Sequence, residues 1–120
     1  MTTNAEAAAV LAKVSLAHRR TAPKIETREG QAAYAETWAR IFSRYNLELP
    51  DLIEAVERRA ATESVAPEPA EIVAHARAIR SERASRENAD RDTRQAFEDR
   101  RDRALESRFD ALAAGWSADR

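Results

Sequence analysis

From Arg80 to Arg120 the chain contains neither valine nor isoleucine, and this break constrains its fold more than any single motif. Before the break lies a full set of core formers: Val10, Leu11, Val14, Leu16, Ile25, Tyr34, Trp38, Ile41, Phe42, Tyr45, Leu47, Leu49, Leu52, Ile53, Val56, Val65, Ile72, Val73 and Ile79. After it the large apolar side chains are Phe97, Leu105, Phe109, Leu112 and Trp116, four of them close together near the end. The expected organisation is a folded module over residues 1–79 and a charged, partly helical tail over 80–120 with a terminal amphipathic segment.

Glycine occurs twice and proline four times, against an abundance of Ala, Glu and Arg. So few turn residues among so many helix formers predict an all-α protein: a small N-terminal helical bundle followed by a long charged helix or a flexible tail. With no cysteine, the bundle has neither disulfides nor thiolate metal sites to support it. A core of about eighty residues is small and buries little more than half its unfolded surface.

The predicted elements follow from caps and periodicity. Thr3-x-x-Glu6 has the form of a capping box, and Val10, Leu11, Val14 and Ala17 then recur at helical spacing until Pro23 forbids continuation. Thr27 caps a second helix, from about Arg28 to Tyr45, whose inward stripe is expected to be Tyr34, Trp38, Ile41 and Tyr45, widened by Phe42. Pro50 opens a third helix ending near Thr62, with Leu52, Ile53, Val56 and Ala60 inward. Pro69 begins a fourth, carrying Ile72, Val73, Ala76 and Ile79.

Beyond Ile79 the apolar stripe stops. Glu82–Arg86, Glu87–Arg91, Asp90–Arg94 and Asp99–Arg103 are spaced i, i+4 in the favourable order, each worth roughly 0.2–0.5 kcal/mol. Residues 77–108 show no apolar a/d seam for a coiled coil, and the expectation is a solvated, fraying or disordered segment.

Chemistry-bearing patterns are missing from the sequence. The two histidines, His18 and His75, fall on different predicted helices with no metal-ligand spacing, and read as ordinary surface or helix-end residues. No glycine-rich loop offers a phosphate cradle. Carboxylates are interleaved with arginine on exposed faces, where nothing drives their pKa values apart. The chain is expected not to be an enzyme and to use no cofactor or metal.

Charge is balanced, with ten basic and eleven acidic side chains up to Ile79 and ten of each after it. Neither half has the cationic surplus that neutralises phosphates. The best nucleic-acid candidate is Arg19, Arg20, Lys24 and Arg28, which lacks an aromatic platform and reads better as charge gathered at a helix C-terminus. No apolar run approaches a membrane span, and the first residues lack a basic, apolar leader, so a cytoplasmic protein is expected.

One stretch carries a family resemblance. A helix bearing Trp38, Ile41 and Tyr45, then Leu52-Ile53-x-x-Val56, then Pro67-x-Pro69-x-Glu71-Ile72 and a further helix follow in an order that resembles the phage replicative-helicase loader/inhibitor family. The resemblance implies a helical N-terminal region and a flexible C-terminal tail that contacts a hexameric DnaB-type helicase. It further implies control of helicase loading onto single-stranded DNA, with an initiator protein as a possible second partner and little or no direct nucleic-acid binding. The terminal residues Phe97, Leu105, Phe109, Leu112 and Trp116 are the expected partner-binding set. Two alternatives stand beside this adaptor reading: a small phage structural or assembly protein whose terminal helix binds copies of itself, and a DNA-binding regulator using the basic cluster.

Overall fold

The computed structural model describes the backbone of residues 1–118 and side chains as far as Gly115. It contains four helices, α1 (Asn4–Ala17), α2 (Arg28–Ser43), α3 (Leu49–Thr62) and α4 (Pro69–Ala118), and no strand among the described residues. The expected all-α class holds. Two compact units divide the chain at Glu82, three residues beyond the expected boundary.

Local chemistry sets the helix ends. The Thr3 hydroxyl accepts from the Glu6 N–H at 3.1 Å, and the Glu6 carboxylate accepts from the Thr3 N–H at 3.0 Å, completing the capping box. Thr27 caps α2 by accepting from Gly30 N–H at 3.0 Å. A Cβ at position 30 would lie 2.9 Å from the Thr27 hydroxyl oxygen and 3.0 Å from an Ile25 methyl, so this turn closes tightly only over glycine. Asn46, just after α2, adopts a left-handed φ of 51°, which asparagine tolerates better than most residues. Pro50 lies in the first turn of α3 and Pro69 opens α4, each where a missing N–H leaves no helical bond unmade.

In the first unit α1 packs against both α2 and α3. Its inner face is Ala7, Val10 and Val14, met by Ala35, Trp38, Ala39 and Phe42 of α2 and by Leu52, Ala55 and Val56 of α3. Ile72, Val73, Ala76 and Ile79 from the start of α4 complete the cluster with Leu47. Trp38 meets Phe42 edge-on, ring centroids 5.8 Å apart, the arrangement that aromatic quadrupoles favour. Ion pairs then tie α4 to α3, Arg58 with Glu82 at 2.8 Å and Arg59 with Glu71. The hydrogen bond to Glu82 raises the Arg58 guanidinium pKa above its usual value, with a smaller contribution from Glu54.

Several core expectations need correction. Tyr34 and Tyr45 are about two-fifths exposed: α2 turns Ala35, Trp38, Ala39 and Phe42 inward and leaves Tyr34 on a face where its phenol stays hydrated, while α2 ends at Ser43, two residues before the expected end, so that Tyr45 lies in the turn that follows it. Leu16 is exposed because it lies almost opposite Val14 on α1, and Val65 is exposed in the connection before Pro67. His18 departs in the other direction. It is the C-cap of α1, continues the Val10, Val14 spacing by a further four residues, and is buried. Its Nδ1 lies 3.4 Å from the Ser64 carbonyl, while its buried Nε2 has no partner.

The N-terminal residues are also stitched down. The Thr2 N–H donates to the Ser43 hydroxyl, that hydroxyl pairs with the Thr2 carbonyl, both at 3.2 Å, and the Thr2 hydroxyl donates to the Leu47 carbonyl at 3.1 Å.

Candidate docking face

The second unit, from Arg83, is helical throughout its described backbone. The fraying expected from its weak intrahelical pairs gives way to one unbroken helix. The charged side chains make local bonds other than those anticipated: Arg91 donates to Asn88 at 2.5 Å, Gln95 to Asp99 at 3.0 Å, and Arg103 to the Asp99 backbone carbonyl at 3.3 Å.

A helix turns by about 100° per residue, which places Leu105, Phe109 and Leu112 within a sector of about 60°. They are 45%, 68% and 62% exposed. Three large apolar side chains thus lie together on one helical face, open to solvent. Phe97, also exposed, lies about 80° round the axis from Leu105 and more than two turns earlier, so it does not share the stripe. The Trp116 side chain, the fifth expected contact, lies outside the described residues. The core cluster itself draws on no residue beyond Ile79.

The basic candidates do not converge. Arg19 and Arg20 follow the C-cap of α1 and line a shallow depression together with the acidic Glu63. Lys24 lies in the connection before Thr27, and Arg28 occupies the first turn of α2, at the positive end of that helix dipole. All four are exposed. Among the described residues no group of three or more His, Cys, Asp or Glu is placed to hold a metal ion.

A second feature, which the sequence analysis did not identify, is an open groove of about 560 Å³ where the end of α2 meets the start of α4. Ile41, Val73 and Pro69 form its apolar lining, and the Arg77 guanidinium stands 5.4 Å from the centroid of the Tyr45 ring. Arg80 fastens the same corner by donating to the Tyr45 carbonyl at 2.8 Å. The signal for this groove was present in the half-buried strip of α2, which reads as core until the alanines behind it are counted as the inner face.

Together these features define a helical bundle that shares its last helix with a charged, apolar-striped segment. No helix among the described residues is long and apolar enough to cross a membrane. The chain matches no protein-family model, no curated protein and no solved structure.

Proposed function

We propose that this protein is a non-catalytic adaptor that binds another protein through the terminal stripe of α4. The observation that carries the reading is the set Leu105, Phe109 and Leu112, exposed on one helical face while the bundle completes its core without them. Amphipathic helices of this kind bind by laying spaced apolar anchors into a groove or against another helix. The interspersed charges keep the free segment soluble.

The partner we propose, on the resemblance of residues 34–79, is a hexameric replicative helicase whose engagement with single-stranded DNA the adaptor controls. An adaptor of this kind needs no nucleotide site of its own. The test is direct binding of the full chain to purified replicative helicase, followed by sedimentation. Phe109→Ala should weaken the complex by about 2 kcal/mol or more, as loss of a buried aromatic anchor does. Absence of any complex with helicase would remove the named partner. Full affinity in Phe109→Ala would instead move the contact away from the stripe.

A further inference from the structure

We propose that the occupant of the stripe, in the protein alone, is a second copy of the same helix, paired parallel and in register. The inference rests on the stripe being a docking face but is independent of any helicase. It follows from the charges that flank the apolar residues. With Leu105 and Leu112 at d positions, Phe109 falls at the intervening a position. Arg94, Arg101 and Arg108 then all occupy g, seven residues apart, and Asp99 and Glu106 occupy e. One flank of the seam is basic and the other acidic.

That asymmetry selects an orientation. In a parallel pair each g residue faces the e residue five positions further along the other copy, so at the start of the apolar seam Arg101 meets Glu106, twice by symmetry. In an antiparallel pair g faces g and e faces e, which sets arginine against arginine and carboxylate against carboxylate. Neither Arg101 nor Glu106 makes an ion pair among the described residues, so both are free to do so across an interface. Upstream the pattern ends: Asp102 and Gln95 take a positions and Glu98 a d position. The apolar seam is thus confined to the residues after Asp102, and of the span 77–108, otherwise without large apolar a/d residues, it takes in only Leu105. A seam this short gives a weak, concentration-dependent dimer.

The experiment is sedimentation equilibrium of the full chain over a concentration series reaching roughly millimolar, the range in which a weak pair assembles. A reversible monomer–dimer equilibrium is expected. Arg101→Glu should shift it at least tenfold toward monomer, and so should Glu106→Arg, while an equimolar mixture of the two variants should pair again. Orientation is read separately, because the chain has no cysteine of its own. Leu112→Cys should oxidise to a covalent dimer, since identical seam positions meet in a parallel pair, whereas Ser107→Cys on the outer face should not. Helicity measured by circular dichroism serves as the folding control, and Lys in place of Arg101 should retain pairing if its charge is what matters. A chain that stays monomeric across the series overturns the proposal, as does dimerisation indifferent to Arg101→Glu, or Ser107→Cys cross-linking as readily as Leu112→Cys. A monomeric chain that still binds helicase would end this inference and leave the adaptor reading intact.

Discussion

At the scale of single residues, the anchoring of this bundle divides between side chains that periodicity reveals and side chains that it does not. Trp38 is of the first kind. Its spacing on α2 marks it as core, and the residue is 5% exposed with its ring edge-on to Phe42. Trp38→Ala should cost about 3–5 kcal/mol in urea unfolding, and a loss under about 1 kcal/mol would mean that the ring is not packed as described. Thr2 is of the second kind. Nothing in a polar N-terminal residue announces a buried hydroxyl bonded to Leu47, since its partner is forty-five positions away. Thr2→Val keeps the shape and removes the donor, leaving the Leu47 carbonyl unpaired at that point. We expect a loss of about 1–2 kcal/mol by the same measurement; an unchanged midpoint would mean that water replaces the bond at no cost. His18 belongs with Thr2, because a polar side chain at a helix C-cap reads as exposed until the i, i+4 continuation from Val14 is followed one step further.

At the scale of elements, the helix starts were legible because their signals are local. Thr3 with Glu6, Thr27 and the two prolines act within one turn, and the structure places helix starts at each of them or within a residue. Which face of α2 points inward was less legible, because alanine contributes little to an apolar stripe yet permits the close packing that makes Ala35 and Ala39 the inner face. The length of α4 was least legible. Its interior lacks an apolar seam, and summing pairwise ion contacts gives no account of why the helix continues to Ala118. Gly115 is its one interior weak point by propensity. A Cβ there meets nothing within 4 Å, so Gly115→Ala should stabilise the terminal turns by up to about 1 kcal/mol, seen as increased helical ellipticity and slower amide exchange. Unchanged ellipticity would mean that these turns are limited by end fraying rather than by the glycine.

At the scale of the whole molecule, two properties bear on function together: charge that balances in each half and a core that closes without the terminal segment. The first predicts that the protein alone binds DNA weakly at moderate salt, since no surplus of cations is available to release counterions. Tight single-strand binding in an anisotropy titration would favour the basic cluster around Arg19 over the adaptor reading. The second predicts separable parts. Every buried member of the hydrophobic cluster lies at or before Ile79, and the apolar side chains described beyond Glu82 are exposed. Deleting residues 97–120 should therefore shift the thermal midpoint of the bundle by less than about 4 °C, the lower end of what 1 kcal/mol brings in a domain of this size. The same deletion should abolish both self-association and partner binding, because it removes Leu105, Phe109 and Leu112 together. A large fall in midpoint with partner affinity intact would reverse the assignment. The terminal residues would then be contributing to the bundle core, and the partner would have to be held by the first unit, where the groove lined by Ile41, Val73 and Arg77 offers the next apolar surface.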